Sequence, residues 1–259
     1  MSWTRFSLVT ACYNTGKYVR TSVESVLGQE YPRDCFELIC IDDGSTDDSS
    51  AILRSFEGQQ GFVLRRTANH GLESACNLGF SMAQHDRVVR VDADDLLEPG
   101  FLRTMDKAIQ SYPGFDFYYC KDYIEYYSEE EQFKKTLPEF DVEEIFTRGD
   151  FFATGTVYRK DDLAASGFYE TAEKNCGLEN YNLTLRLLTR GKKGKAVPSA
   201  LFKYRRHHEN MSRLKLNAII SYGHELLRQY GREFKTNPFH PYGLVLPSSN
   251  DQSCPNGIL

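Results

Sequence analysis

The sequence contains no apolar run of the roughly 18 residues that a transmembrane helix needs. Its first residues carry Trp3 and Arg5 before a strand-like segment and have no apolar signal core. We therefore expect neither a membrane-spanning helix nor a secretory leader. Internal repeats and low-complexity tracts are absent as well.

Paired cysteine motifs are also missing. The chain has seven cysteines, an odd number, and no CxxC pair. Cys12, Cys40 and Cys120 lie in apolar, strand-like runs, which is typical of small buried hydrophobes in a reduced cytoplasmic protein. We therefore expect a cytoplasmic location and no metal site built from cysteine.

An excess of basic residues is missing too, since the formal net charge is −5. This argues against a dedicated nucleic-acid-binding protein. The charge is nevertheless uneven: nine acids lie in residues 122–144, and nine lysines and arginines lie in residues 190–215. Such stretches are usually solvated surface, but the basic one is also suited to a phosphate or to peripheral contact with an anionic membrane.

What the chain does contain is enough apolar sequence for a sizeable core. It has 259 residues, of which 41% are hydrophobic and 13% aromatic. Residues 6–12, 36–41, 61–66 and 87–92 are predicted strands, and residues 17–29, 48–56, 71–84 and 99–111 are predicted helices. This alternation predicts βαβ crossovers and a parallel sheet.

Polar residues follow three of the predicted strands, at residues 10–14, at Asp42 and Asp43, and at residues 92–95. The carboxyl ends of parallel strands lie at one edge of the sheet, where open α/β sheets bind their ligands. The sequence therefore predicts a nucleotide crevice at this edge.

The acids after the fourth strand, Asp92, Asp94 and Asp95, are the most informative feature of that edge. Carboxylates one residue apart can reach a hard divalent cation, and such a cation commonly holds a diphosphate. The competing interpretation is an acidic turn that caps the next helix.

The second half of the chain is less regular. Strands are predicted at residues 154–159 and 200–206, helices at residues 180–190 and 212–231, and an extended Tyr-rich segment at residues 118–127. Four prolines after residue 235 indicate an irregular tail. We divide the chain into a nucleotide-sugar-binding half (1–112), an acceptor-side half of the same domain (113–234) and the tail (235–259).

The order and spacing of several short motifs resemble the family-2 glycosyltransferases, which are inverting enzymes. The segments that carry the resemblance are residues 9–14, 25–31, 37–47, 69–79 and 92–95, with a weaker match over 150–215. The resemblance implies an α/β GT-A fold, a Rossmann-like nucleotide-sugar-binding domain with a central, mostly parallel sheet.

The resemblance also implies roles for individual residues. In this family the first acid of the DxD motif contacts ribose and the last holds Mn²⁺ or Mg²⁺ on the diphosphate, which assigns these roles to Asp92 and Asp94. Asp95 either assists the metal or caps the next helix. The residues expected to bind the nucleotide are Thr10, Tyr13, Asn14, Asp42, Asn69 and Asp92.

The segment 204–212 resembles the YRxHxxxxS segment of the family. It implies that His207 completes the metal shell and that the basic residues beside it, Arg205 among them, contact the pyrophosphate or assist the metal. A surface basic cluster is the alternative. If the alignment with the family segment is shifted by one residue, His208 takes the place of His207.

The chain departs from the family pattern at Asn180, where the family usually places the aspartate that acts as general base. An amide does not take up a proton at neutral pH. Either Glu179 is the base, with a proton affinity set by its surroundings, or Asn180 is a helix N-cap and the chain is slow or inactive.

The expected activity is metal-dependent transfer of a sugar from a nucleotide-diphospho donor, such as a UDP-sugar, to a glycan or lipid-linked acceptor in surface-polysaccharide assembly. The alternative is a nucleotide-sugar-binding protein without transferase activity. A nucleotidyltransferase is disfavoured because residues 12–17 contain only Gly16, not a Gly-rich loop. The sequence does not indicate the oligomeric state.

Overall fold

The computed structural model describes residues 3–148, 154–199 and 202–232. The predicted tail at 235–259 lies outside these ranges. Within them, none of the helices combines the length and the apolar composition that crossing a membrane requires.

The first half alternates strands and helices, as predicted. Its elements are β1 (Phe6–Cys12), α1 (Val19–Leu27), β2 (Phe36–Asp42), α2 (Ser49–Arg54), β3 (Phe62–Arg66), α3 (Leu72–Met82), β4 (Arg87–Arg90), β5 (Leu96–Leu97) and α4 (Phe101–Ser111). A short 3₁₀ turn at Arg33–Cys35 precedes β2.

The second half supplies the remaining elements. They are β6 (Phe117–Cys120), β7 (Asp122–Tyr126), β8 (Gln132–Thr136), α5 (Val142–Arg148), β9 (Val157–Arg159), α6 (Lys160–Ala165), α7 (Glu179–Thr189), β10 (Gly194–Val197), β11 (Phe202–Arg205), α8 (Met211–Leu214) and α9 (Leu216–Gln229). The predicted single helix at 212–231 is wrong, because the chain breaks at Lys215 into α8 and α9.

Seven strands form the main sheet in the order β10-β6-β9-β4-β1-β2-β3. All neighbouring pairs are parallel except those of β9, which runs antiparallel to β4 and β6. The prediction of a mostly parallel α/β sheet is therefore confirmed.

A second sheet has the order β5-β11-β7-β8. The predicted Tyr-rich extended segment is thus two strands, β6 and β7, that belong to different sheets. This small sheet places the end of β11 next to the turn after β4, because β11 pairs with β5.

The core is continuous across both halves of the chain. Strands β1 and β2 are buried along almost their whole length, as expected for parallel strands covered on both faces. Helix α3 packs tightly on β1 at Gly79, where an added Cβ would stand 2.3 Å from Val9 Cγ1. Cys12, Cys40 and Cys120 are buried free thiols, as predicted.

Candidate functional site

The carboxyl ends of β1, β2 and β4 lie at one edge of the sheet. The register aligns Cys12 of β1 with Asp42 of β2, and Val9 with Arg90 of β4. A cleft of about 540 Å³ opens at this edge, and residues from the turns after all three strands, from α7 and from the segment around His207 line it. The predicted convergence of strand ends is thus present.

Asp94 and His207 meet in this cleft. Asp94 Oδ2 lies 3.0 Å from His207 Nε2 and 3.5 Å from Asn210 Nδ2. Asn210 Oδ1 also accepts a hydrogen bond from the backbone N–H of His207 at 2.7 Å. The His207 ring stacks on Tyr18, with ring centroids 4.4 Å apart.

The spacing of these two side chains suits a divalent cation. Two ligand atoms at right angles on an ion with bonds of about 2.1 Å stand about 3 Å apart, as Oδ2 and Nε2 do. In the present hydrogen bonds, however, His207 Nδ1 accepts from the backbone N–H of Glu209 at 3.2 Å. Asn210 Nδ2 lies 3.1 Å from Nε2, and ligation of a cation through Nε2 requires a lone pair on that nitrogen.

Asp92 faces the cleft and is held from behind by Arg90. Arg90 Nε donates to Asp92 Oδ1 at 2.7 Å, and Arg90 Nη1 donates to Glu179 Oε1 at 2.6 Å. Burial opposes the charge on Arg90, but Asp92, Tyr169 and Glu179 outweigh it and raise the pKa of the guanidinium well above its usual value. Arg90 is therefore a mostly buried cation between two carboxylates.

Asp95 lies beneath the cleft instead of in it. Its side chain is buried, accepts a hydrogen bond from Thr154 Oγ1 at 2.6 Å and accepts another from the Arg205 backbone N–H at 3.0 Å. Burial, with Asp94 and Asp92 nearby, raises the pKa of Asp95. Asp95 thus joins β11 to the turn after β4.

Arg205 does not line the cleft. Its Nε donates to the backbone oxygen of Asp94 at 2.7 Å, and its guanidinium lies between the rings of Tyr18 and Tyr126, about 5 Å from each centroid. Its contacts therefore fix the acidic turn from the side, whereas His207 lines the cleft.

Asp42, the last residue of β2, and Asp43 after it differ in their position relative to the cleft, and the expected nucleotide contact of Asp42 stays a prediction. Asp42 is buried, with hydrogen bonds from the Ser45 backbone N–H and from Ser50 Oγ. Asp43 lines the cleft and accepts from the backbone N–H groups of His70 and Gly71 at 2.9 and 2.8 Å. Of the two acids, Asp43 is thus the one placed to face a ligand.

The other predicted nucleotide contacts divide in the same way. Thr10 is buried within β1, away from the cleft. Tyr13, which is 47% exposed, lines the cleft together with Asn14 and Asn69. Asn14 adopts a left-handed backbone with φ 54°, and its Oδ1 accepts from the Thr46 backbone N–H at 2.8 Å.

Glu179 and Asn180 lie in the first turn of α7 and line the opposite wall of the cleft. Asn180 Oδ1 accepts hydrogen bonds from the hydroxyls of Tyr158 and Tyr169 at 3.0 and 3.2 Å. The amide oxygen is therefore held by phenol donors, and Glu179 is the carboxylate on this wall.

The segment before α7 is anchored by a residue that sequence reasoning missed. The buried carboxylate of Glu73 accepts from the backbone N–H groups of Asn175 and Cys176, each at 2.8 Å. Its oxygens also come within 4.8 Å of Cys176 Sγ and a Glu179 oxygen. Because those oxygens are occupied by backbone donors, Glu73 acts as a clamp on this segment.

Among the charged side chains that line the cleft, acids outnumber bases. The acids there are Asp43, Asp92, Asp94, Glu179 and Glu209, whereas the lysines and arginines are Arg90 and Lys215. A diphosphate is itself anionic, so it would be repelled here without a cation to offset the acids.

The sheet and its cleft place the chain in the α/β class whose ligands bind outside the carboxyl ends of parallel strands. The chain belongs to glycosyl transferase family 2, since the model of this family matches residues 7–165. The predicted GT-A fold is confirmed by solved glycosyltransferases. The chain superposes on S. aureus TarS in complex with UDP-GlcNAc with a TM-score of 0.65 at 18% identity, covering 88% of this chain and 71% of TarS.

A second solved glycosyltransferase structure has the same fold. The mannosyltransferase PcManGT from Pyrobaculum calidifontis, in complex with GDP-Man and Mn²⁺, gives a TM-score of 0.67 at 17% identity, covering 95% of this chain and 69% of PcManGT. At such identities the likeness shows the fold alone.

The glycosyltransferase GlyG of Streptococcus pneumoniae is 37% identical over 106 residues, covering 40% of this chain and 35% of GlyG. The minor teichoic acid biosynthesis protein GgaA of Bacillus subtilis is 25% identical over 262 residues, covering 93% of this chain and 56% of GgaA. The chain thus spans between about a third and just over half of these relatives.

Proposed function

We propose that this chain is a metal-dependent, inverting glycosyltransferase that moves a sugar from a nucleotide-diphospho donor, of the UDP-sugar type, to an acceptor hydroxyl in cell-surface polysaccharide assembly. The observation that carries the proposal is the pairing of Asp94 with His207 in a cleft whose charged side chains are mainly acidic. The name of GgaA supports the polysaccharide context, and the complex of TarS with UDP-GlcNAc supports the donor type.

Asp94 and His207 are the residues that would hold Mn²⁺ or Mg²⁺. When bound, the cation offsets the negative charge that grows on the leaving diphosphate. Asp92, oriented by Arg90, accepts hydrogen bonds from the donor's ribose hydroxyls. Tyr13, Asn14, Asn69 and Asp43 form the wall on which the nucleoside lies.

Glu179 is the proposed general base. The acceptor oxygen attacks the anomeric carbon on the face opposite the diphosphate, and its proton passes to Glu179. The bond from the anomeric carbon to the phosphate oxygen breaks as the new glycosidic bond forms, which inverts the configuration. The nucleoside diphosphate leaves with the electron pair of the broken bond.

A second candidate function is nucleotide-sugar binding without turnover. The observation that favours it is the acceptor-side wall, where position 180 is an amide and Glu179 is ion-paired with Arg90. Binding of UDP and Mn²⁺ with no transfer to any acceptor, and no donor hydrolysis, would support this candidate.

A thermal-shift panel of UDP- and GDP-sugars, with and without Mn²⁺, tests the proposed function. A ligand that binds only the folded state raises the melting temperature by mass action. We expect a metal-dependent rise with UDP-sugars and its loss in Asp94→Asn, but not in the exposed control Asp161→Asn. The absence of a rise with every nucleotide sugar would contradict the proposal.

Peripheral contact with an anionic membrane stays a prediction. Within the basic stretch, Lys192 pairs with Asp116 and Asp162, Lys203 pairs with Glu98, and Arg206 pairs with Glu125. These contacts offset part of the charge that the sequence suggests is free for a membrane. Salt-sensitive co-sedimentation with anionic liposomes is the corresponding measurement.

A further inference from the structure

A second cavity of about 670 Å³ adjoins the cleft. It lies between the segment 173–176 and the residues 213–218 at the break between α8 and α9. Asn175, Leu214 and Lys215 line both cavities, so these residues form the boundary between them. The segment 173–176 leads directly into α7, which carries Glu179, and the second cavity therefore opens on the proposed acceptor side.

The charge of the lining reverses between the two cavities. The second cavity is lined by the basic residues Lys174, Arg213 and Lys215 and by one acid, Glu173. We call it the cationic groove. Among the ion pairs between described residues, none involves any of these three cations, so their charges are not neutralised by a neighbouring acid.

Two of the cations are positioned by neutral backbone and amide oxygens. Lys174 Nζ donates to the backbone oxygen and to Oδ1 of Asn69, at 2.9 and 2.5 Å. Lys215 Nζ lies 3.4 Å from the backbone oxygen of Asn175. The clamp made by Glu73 fixes the same segment. The positive groups are thus held in place before a ligand arrives, which reduces the entropy lost on binding.

We propose that the cationic groove binds a phosphodiester group of the acceptor, so that the substrate of this chain is a phosphate-bearing glycan or polyol. The proposal rests on the glycosyltransferase function proposed above, in which the acceptor approaches Glu179 from the side of the segment 173–176. Lysine and arginine bind phosphate through charge-assisted hydrogen bonds. An anionic acceptor is repelled by the acids of the donor cleft and attracted by the groove, which orients it with a hydroxyl toward Glu179.

Calorimetric titration of the whole protein, saturated with UDP and Mg²⁺, tests this inference. The probes are a glycerol phosphodiester trimer and an uncharged triglycerol of the same length. We expect the phosphodiester to bind and the neutral probe to bind at least about tenfold more weakly. Raising the salt concentration weakens the charged interaction because it is exposed and screened.

Charge-removal variants locate the binding. Arg213→Gln combined with Lys215→Gln weakens phosphodiester binding about tenfold or more, whereas the control Arg228→Gln, which removes an exposed arginine of α9 outside both cavities, leaves it unchanged. Equal binding of the two probes, or equal affinity of the double variant and the control, would overturn the inference.

A second experiment, with lipid vesicles, distinguishes a lipid-linked acceptor from a soluble polymer. Stronger binding to phosphatidylglycerol vesicles than to the trimer, with none to phosphatidylcholine, supports a lipid-linked acceptor. Preference for the trimer supports a soluble polymer, and binding of neither overturns the inference. UDP binding is measured separately in the same samples, so that its loss, which would count against the proposed function, is distinguished from loss of phosphodiester binding alone.

Discussion

The guanidinium of Arg90 lies 2.6 Å from the carboxylate of Glu179 and 2.7 Å from that of Asp92. One buried cation thus joins the turn that follows β4 to the first turn of α7. In the proposed function these are the donor side and the acceptor side of the reaction. The relative position of the two acids is therefore set by a residue that need not touch either substrate.

The first prediction concerns the stability of this network. Arg90→Gln leaves two carboxylates without their counter-charge, and we expect it to reduce the free energy of unfolding by about 3 kcal/mol or more. Adding Glu179→Gln to Arg90→Gln removes one of the two unpaired carboxylates and restores part of the lost free energy of unfolding. Urea unfolding of the wild type, both single variants and the double variant measures the coupling. Strictly additive effects would show that the ion pair contributes nothing.

The second prediction tests whether Glu179 is the general base that takes the proton from the acceptor hydroxyl. Glu179→Gln should lower kcat about 100-fold or more while UDP binding stays close to that of the wild type. Steady-state transfer assays with a hydroxyl acceptor measure it. Full turnover in Glu179→Gln would rule out Glu179 as the base. A rate that rises in Asn180→Asp, with no loss in Glu179→Gln, would place the base at position 180.

The third prediction tests the close packing of α3 on β1. Gly79→Ala places a Cβ 2.3 Å from Val9 Cγ1, and such overpacking destabilises a core by about 1–3 kcal/mol. Val9→Ala in the same chain removes the obstructing methyl groups and should recover part of that loss. Gly114→Ala, where no atom lies within 4 Å of the added Cβ, is the matched control. Chemical denaturation that shows equal stability of Gly79→Ala and Gly114→Ala would contradict this packing.

The fourth prediction is a dependence of stability on alkaline pH. Burial raises the pKa of Tyr222 from 10.0 to about 12, although its hydrogen bond with Asn182 acts in the opposite direction. Because the folded-state pKa is the higher one, the stabilisation is fully present below pH 10.0 and is lost as the pH rises toward about 12. Tyr222→Phe lacks this dependence.

At neutral pH, Tyr222→Phe should be less stable by about 1 kcal/mol, because Asn182 Nδ2 loses an acceptor. The difference in stability between Tyr222→Phe and the wild type should then narrow between pH 10.0 and about 12. Thermal unfolding followed by circular dichroism across this range measures the gap. A gap that stays constant or widens would contradict the assignment.

The first half of the fold followed from the sequence because its signals are local. Strands β1 and β2 are apolar runs that end in turn-forming residues, and the helices between them show one apolar face. The break at Lys215 was missed because apolar residues continue on both sides of it. The separation of β6 from β7 depends on pairing with distant strands, which no local pattern reveals.

The site was only partly predictable for a similar reason. The convergence of strand ends follows from parallel topology alone. The choice between Asp42 and Asp43 does not, since adjacent carboxylates are equivalent until the turn is folded. Arg90 was missed because an arginine at the end of a strand usually indicates surface, whereas here Asp92 of the following turn and Glu179 of the distant helix α7 neutralise it.

The central claim is that Asp94 holds a divalent cation for the diphosphate of a nucleotide donor. The most direct measurement is the anomalous scattering of manganese in crystals grown with UDP and Mn²⁺. The account predicts a manganese peak bonded to Asp94 Oδ2, beside His207 and in contact with the phosphates of UDP. UDP bound in the cleft with no manganese at Asp94 would contradict it.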